Sequence, residues 1–320
     1  MIMRRTILIL MLCAAGIGVR AQDRDSLLVM FWNMENFFDW TDQGTGESDN
    51  EFSSRGKRAW TRAKFHQKCD AIAKSMMWIS DTYGRMPDAV GVAEVENRRA
   101  LSRLVNYTLL RKYGYSIVHY DSKDKRGIDV ALLYRKKVMT PVSTTLKTPP
   151  EMSTRDILHV EMLLKDGTAV DMLVNHHPSK LGGAEESHHK RMTAMNTMKS
   201  ICDSLNAAGR KNIVAMGDFN DTPDGSQFEM MNHLLENKGL PLHDAGLGTI
   251  RYKGRWELID NFLTSPSVCA SDMEVVKVPF LMTYDKRYPG EQPLRTYSGP
   301  KYIGGVSDHC PVLIWILTAN

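Results

Sequence analysis

The stretch GDFNDTP, residues 217–223, follows an apolar run, Ile213-Val214-Ala215-Met216, that reads as a buried strand. Gly217 lets the backbone turn out of that strand, so Asp218, Asn220 and Asp221 stand at its C-terminal edge. Taken alone the segment is explained by an Asx-type turn, because Asp, Asn and Pro all form turns. The rest of the chain has to separate a turn from a site.

The same arrangement recurs. Asn33 and Glu35 follow the apolar run Leu28–Trp32 in MFWNMEN, and Glu94 ends Ala89–Ala93 in VGVAEVEN. Asp129 starts DVALLYR, His176 and His177 follow VDMLVN, and Asp260 interrupts ELIDNFLTS. Ser307-Asp308-His309 precede a last strand at Val312–Leu317. Further strand-like runs lie at Ile157–Leu164 and Ala169–Val174. Many of these runs are almost continuously apolar, which means strands covered on both faces, in sheets packed on each other or under helices. One polar group after a strand is a turn; seven at sheet edges read as a site built from loops on a rigid scaffold.

Helical spacing appears in Phe65, Cys69, Ile72, Ala73, Met76 and Ile79, again in Met195, Met198, Cys202 and Leu205, and in a third stretch from Phe228 to Leu235. These methionine-rich stripes read as core faces, since methionine fills irregular apolar gaps. Residues 42–51 and 284–305 read as surface loops, and a loop as long as the second is often functional. No low-complexity stretch or repeat divides the chain, so residues 22–320 are expected to form a single domain.

The N-terminus carries Arg4 and Arg5, an apolar run from Ile7 to Val19, and Val19-Arg20-Ala21 before Gln22. That is the pattern of a cleaved secretory signal peptide over residues 1–21, in a run short for a membrane span. The expected location is therefore periplasmic or extracellular, with an uncleaved anchor as the alternative; Leu12 before Cys13 is too bulky for the usual lipoprotein pattern. Removing the segment takes away Arg4, Arg5 and Arg20, so 41 basic residues become 38 against 37 acidic ones. A nucleic-acid footprint, if present, has to be a local patch rather than the whole surface. Cys69, Cys202, Cys269 and Cys310 form no CxxC pair, which argues against a zinc ribbon or thioredoxin motif and leaves free thiols and disulfides equally open.

Carboxylates with amide partners, no thiolate pair and no HxxxH helix suit a hard cation, Mg²⁺ or Mn²⁺, and the hydrolysis of a phosphate ester. A carboxylate can take a proton from water, and a cationic histidine can stabilise charge on phosphoryl oxygens.

In order and spacing, FWNMEN, AEVEN, VNHHPSK, GDFND, LIDNFL and GVSDHCPV resemble the successive motifs of the endonuclease/exonuclease/phosphatase superfamily, from Leu28 to Leu317. The resemblance implies an α/β fold, a four-layer α/β sandwich with two facing mixed β-sheets flanked by helices. It also implies Glu94 as principal metal ligand with Glu35 and Asp308 near the cation, and Asn33 and Asn220 positioning phosphate or water. Asp218 would orient or deprotonate the attacking water. His309 would contact the phosphate with Asp260 holding its ring, and His176 would give a second phosphate contact, with His177 the alternative if the register slips by one. Asp129 either orients His176 or caps a turn. His188 and His189 read as a solvated helix face, and Asp221 and Asp224 as turn residues.

Three functional readings follow. The first is an exported metal-dependent nuclease acting on DNA or RNA, with Tyr284, Lys286, Arg287, Tyr288, Arg295, Tyr297, Lys301 and Tyr302 as candidate base and backbone contacts. The second is a phosphatase or phospholipase of the same fold. The third is a binding module that has lost catalysis, disfavoured because Glu94, Asp218, Asn220, Asp260, Asp308 and His309 are all present.

Overall fold

The computed structural model describes residues 26–318, apart from 42, 43, 45 and 181–183. The expected signal segment lies outside the described residues. Twelve strands make the two large sheets: β1 (Ser26–Phe37), β2 (Ala89–Val95), β3 (Tyr115–His119), β4 (Asp129–Arg135), β5 (Met139–Lys147), β6 (Ile157–Leu164), β7 (Ala169–His176), β8 (Ile213–Asp218), β9 (Glu236–Asn237), β10 (Asp260–Thr264), β11 (Glu274–Val275) and β12 (Val312–Leu317). Three long helices are α1 (Arg62–Tyr83), α2 (Arg98–Tyr107) and α3 (Ala184–Ala207).

The first sheet runs β11-β12-β1-β2-β4-β3 and the second β5-β6-β7-β8-β10-β9. Each is mixed in the same way. A parallel pair, β1 with β2 or β7 with β8, lies at the centre, and the other neighbours are antiparallel. The C-terminal ends of a parallel pair therefore meet the N-terminal end of an antiparallel neighbour, β4 in one sheet and β10 in the other. All the polar edges seen in the sequence fall at such ends.

Strand alternation explains the continuous apolar runs. In β1, Leu28, Met30 and Trp32 pack outward with Phe65, Ile72 and Met76 of α1 and with α2. Leu27, Val29 and Phe31 point inward and meet Val160, Met172 and Met216 of the other sheet. That second sheet is covered on its far side by Met195, Met198 and Cys202 of α3. The result is the expected four-layer α/β sandwich. Gly91 sits where the sheets approach closely: a Cβ there would meet the Met216 thioether at 2.5 Å.

Several local expectations differ. Only Ser226–Glu229 of the third helical stretch is helical; Gly225 and Asn232 bracket it with turns, so its apolar residues pack from irregular backbone. Residues 284–305 are not a plain loop, for Met282–Asp285 pairs with Gly290–Pro293 and Tyr297–Ser298 with Lys301–Tyr302. Glu47–Glu51 is a short helix inside the expected acidic loop. The four cysteines are free thiols, and Cys269 is exposed. Among the described residues no helix is long and apolar enough to cross a membrane.

Gly217 and Gly91 make different demands. A Cβ at 217 would meet the Asn175 carbonyl oxygen at 2.5 Å, rigid backbone of the paired strand, whereas at 91 it meets the movable end of a methionine. Gly217→Ala is expected to cost about 1–3 kcal/mol and Gly91→Ala less. Denaturant midpoints of the two variants check this, and equal shifts would contradict it.

Candidate active site

Asp218 is the meeting point of the site. It ends β8, where burial in the register Asp218 to Asp260 and His176 to Asp218 brings strands β7, β8 and β10 together. Its Oδ2 accepts a hydrogen bond from Asn33 Nδ2 of the opposite sheet at 2.9 Å, and its Oδ1 accepts one from the Asn220 amide at 2.9 Å. His176 Nε2 lies 3.6 Å and His309 Nε2 3.9 Å from the same Oδ2. His309 Nδ1 is 2.7 Å from Asp260 Oδ2. Of the two adjacent histidines it is thus His176 that faces Asp218; the His177 ring packs edge-on against Phe219 at 5.0 Å. Its backbone stays in the site: the carbonyl accepts from Asn220 Nδ2 at 3.0 Å and from Arg155 Nη2 at 2.7 Å.

Burial and neighbours set different charge states. Burial, then the charge of Asp260, pushes the Asp218 carboxyl up to about 7, against the pull of His309, Asn33 and Asn220. Burial works against protonating His309, yet Asp260, Asp218 and Asp308 outweigh it and hold the ring well above the ordinary histidine range. His176 goes the other way, held well below that range by burial and by the Arg155 and Arg126 guanidiniums. The centre therefore presents a carboxylate able to accept a proton near neutral pH, an imidazolium, and a neutral imidazole.

A second group of carboxylates lies beside it. Glu35 Oε1 accepts from Arg295 Nε at 3.0 Å and Nη2 at 2.8 Å, and its Oε2 accepts from the Thr296 amide at 2.9 Å. Arg295 Nη2 also reaches Asp308 Oδ2 at 2.9 Å. Glu94 Oε2 accepts from the Asn36 amide at 2.8 Å and pairs with Arg126 at 3.4 Å. Burial and then Asp308 push Glu35 up to about 7, with Arg295 and Lys68 opposing. Lys68, buried on α1, donates to the Glu35 carbonyl and, at 2.8 Å, to Thr296 Oγ1; burial pulls it down to about 8.

The backbone is strained where it carries these groups. Glu35 (φ 42°), Asn36 (φ 51°), Glu94 (φ 58°) and Asn220 (φ 50°) all lie in the left-handed region. The first three coincide with breaks in register, between Asn33 and Phe37 in β1 and between Ala93 and Val95 in β2. Such bulges re-aim side chains at a strand end.

Asp129 corrects one expectation. Its Oδ2 is 3.2 Å from His119 Nε2, and its Oδ1 accepts from the Ser122 amide at 2.9 Å. It begins β4, whose neighbours are β2 and β3, so the histidine within reach is the one ending β3, while His176 belongs to the other sheet. Asp221 pairs with Lys180 and Arg191 at 3.4 Å each, and Asp224 with His243 at 3.2 Å. His188 and His189 lie in the first turns of α3. Of the tail aromatics, Tyr297 is buried against Trp60 and Tyr302, with its hydroxyl donating to the Arg58 carbonyl, so it is not free to stack on a ligand. Lys68, Arg126 and Arg155 were not singled out in the sequence. Lys68 left a trace, a lysine three residues after Phe65 on the apolar face of its helix.

The sequence pattern of the endonuclease/exonuclease/phosphatase family matches residues 28–318. The chain belongs to that family. It is accordingly a hydrolase of phosphate esters. No curated protein sequence matches it. Among solved structures, an endonuclease/exonuclease/phosphatase family protein from Bacteroides thetaiotaomicron is 15% identical, with a TM-score of 0.60 over 92% of this chain and 98% of that one. The mannosyl-6-phosphatase of the same organism is 14% identical, TM-score 0.59, covering 90% and 98%. A humanized D. rerio TDP2 is 12% identical, TM-score 0.58, covering 91% and 99%. At these identities the likeness is one of fold.

The family implies a divalent metal, and the donor chemistry of these carboxylates suits one, although both Glu35 oxygens are engaged by Arg295 and the Thr296 amide. Glu35, Glu94 and Asp308 offer only oxygen donors, the choice of a hard cation, and the like charges of Glu35 and Asp308 already draw a guanidinium between them. The tightest groupings of histidine and carboxylate among the described residues are two others, Asp218-Asp260-His309 and His119-Asp121-Asp129. In the first of these Asp260 is engaged with the His309 ring.

The charge states give a pH dependence. With Asp218 as the base, kcat/KM for a small diester should rise about tenfold per pH unit below about 7 and level off above it. His309 has to stay protonated, so Asp260→Asn, which removes the charge that raises it, should move the alkaline limb to lower pH. An unmoved alkaline limb in that variant would remove His309 from the proton inventory.

Proposed function

We propose that the protein is an exported, divalent-metal-dependent phosphodiesterase that cleaves nucleic acid by in-line attack of water. The observation that carries the reading is the convergence on Asp218 Oδ2 of Asn33, His176 and the His309–Asp260 pair from two different sheets. In this reading Asp218 accepts the proton of the attacking water. His309, protonated and braced by Asp260, donates from Nε2 to a phosphoryl oxygen, and neutral His176 donates to another. Asn33 keeps the Asp218 carboxylate aimed, and Asn220 fixes the His177 carbonyl beside it. Glu94, Glu35 and Asp308 would hold Mg²⁺ or Mn²⁺, which supplies Lewis-acid stabilisation of charge on the phosphate.

A nucleic-acid substrate is supported by the cations around the carboxylates. Arg126 pairs with Glu94 and Arg295 with Glu35 and Asp308, and with 41% and 48% of their side chains exposed the two offer cations to more than one phosphate of a chain. One solved relative, D. rerio TDP2, is complexed with single-strand DNA product. A phosphatase acting on a small phosphate ester is the rival reading, for which the mannosyl-6-phosphatase of similar fold stands as precedent. Export rests on the N-terminal sequence pattern alone.

The test uses purified protein from Gln22 onward, with Mg²⁺, Mn²⁺ or EDTA, against single- and double-stranded DNA, RNA, bis-p-nitrophenyl phosphate and mannose 6-phosphate. Metal-dependent cleavage of nucleic acid is the expected result, reduced roughly 10²–10⁴-fold in Asp218→Asn while the protein stays folded. Hydrolysis of the monoester with intact nucleic acid would transfer the function to the phosphatase branch. Glu94→Gln should raise the Mg²⁺ concentration needed for half-maximal rate, and an unchanged titration would place the ion elsewhere.

A further inference from the structure

A cluster of arginines and aromatic rings outside the catalytic group is not used by the mechanism above. Trp40 is half-buried against Phe65, with ring centroids 5.2 Å apart. The guanidinium carbons of Arg62, Arg99 and Arg103 lie 5.6, 5.7 and 5.9 Å from its ring centroid. Arg103 also lies 4.6 Å from the ring centroid of Tyr107, whose side chain is one of the most exposed aromatics of the protein, at 66%. Arg98, Arg99, Ser102, Arg103 and Tyr107, all of α2, together line a shallow, open cleft of about 420 Å³ on the protein surface. Asp39 is the carboxylate seen to pair with this group, 3.6 Å from Arg99. Three guanidiniums thus line one exposed groove, where Arg98 Nη1 donates to the Ile117 carbonyl at 3.0 Å and leaves its remaining donors to solvent.

The cleft is tethered to the catalytic end of the first sheet. Trp40 follows Glu35 by five residues, a span of at most about 18 Å of chain. Arg98, at the start of α2, follows Glu94 by four. Both segments thus leave directly from the carboxylates assigned to the metal, so a polymer whose scissile phosphate lies there can continue into the cleft. Arginine forks suit phosphate oxygens, and exposed aromatic faces suit bases without regard to sequence.

We propose that this cleft is a subsite for a single-stranded segment of nucleic acid flanking the scissile bond, with backbone phosphates on Arg98 and Arg103 and a base stacked on Tyr107. The proposal rests on the nuclease reading of the site, and it explains selectivity for a polymer over a small ester. The Trp40 ring packs against the guanidiniums of Arg99 and Arg103 and limits where they can point.

Binding of a fluorescent oligonucleotide of about twelve nucleotides, followed by anisotropy in EDTA, isolates the cleft from turnover. The double variant Arg103→Gln/Tyr107→Ala should bind at least about tenfold more weakly, and its salt slope should flatten by about 0.7 for the lost phosphate contact. Its turnover of bis-p-nitrophenyl phosphate, which is too short to reach the cleft, should be unchanged. Tyr107→Ala alone, at an exposed position, should weaken binding in the same direction and guards against a folding defect. Affinity within twofold of the unsubstituted protein, or a matching loss of small-diester turnover, overturns the proposal, as does failure of the unsubstituted protein to bind the oligonucleotide. If the unsubstituted protein binds through the cleft but leaves every nucleic acid intact, the nuclease reading falls and the subsite beside a scissile bond falls with it. If it cleaves nucleic acid and the variants bind normally, the nuclease reading stands and the subsite falls.

Discussion

The hydrogen bond from Asn33 Nδ2 to Asp218 Oδ2 joins the ends of two sheets whose facing sides pack through apolar side chains, and the Asp260–His309 pair is a second polar tie at the same end. Apolar contact is non-directional and leaves two packed sheets free to shift by fractions of an ångström. A buried bond to a charged acceptor does not, because breaking it leaves a carboxylate without its donor in a dry interior. The neighbouring contacts hang on the same strand end. Ser307 Oγ donates to the Asn33 carbonyl at 2.6 Å, and Trp32 Nε1 donates to the His309 carbonyl at 2.9 Å, so the segment that carries Asp308 and His309 is docked on β1. The left-handed backbones at Glu35, Asn36 and Glu94 each cost on the order of 1–3 kcal/mol, which the packed sandwich around them has to offset.

Burial explains why one small volume contains three differently charged groups. Desolvation acts on all of them and favours the neutral form. Asp218 is left near its tipping point, and His176 is left neutral by burial first, with the charges of Arg155, Arg126 and His309 adding to it. His309 alone escapes, since Asp260 touches its ring at 2.7 Å and supplies the counter-charge that burial removes. The division of roles among two histidines and an aspartate thus comes from which partner each strand register brings into contact.

Strands covered on both faces were legible in the sequence, because β1, β2, β8 and β12 leave continuous apolar runs, whereas the count of four layers came from the family resemblance. The residues that converge were legible too, as polar groups following those runs. Their partners were not. Asp129 belongs with His119 because β3 pairs with β4, a neighbour relation that no local pattern reveals. The β1 and β2 bulges carry Glu and Asn instead of glycine, so no composition signal marks their left-handed backbones. Tyr297 and Tyr302 read as ligand-facing aromatics among polar neighbours, yet they pack on Trp60 from two paired strands of two residues each. The helix expected to run to Leu235 ends after one turn, its apolar spacing satisfied by turns that bury the same residues.

The docking of His309 on Trp32 spans 277 residues of sequence. A chain emerging from the ribosome makes Glu35 and Glu94 early and then has to wait for Asp260, Asp308 and His309 before the candidate site is assembled. The central first strand stands without its β12 neighbour for almost the whole of synthesis. A hydrolase wired in this way carries its own delay: the nascent polypeptide is all but finished before the two halves of its site can meet.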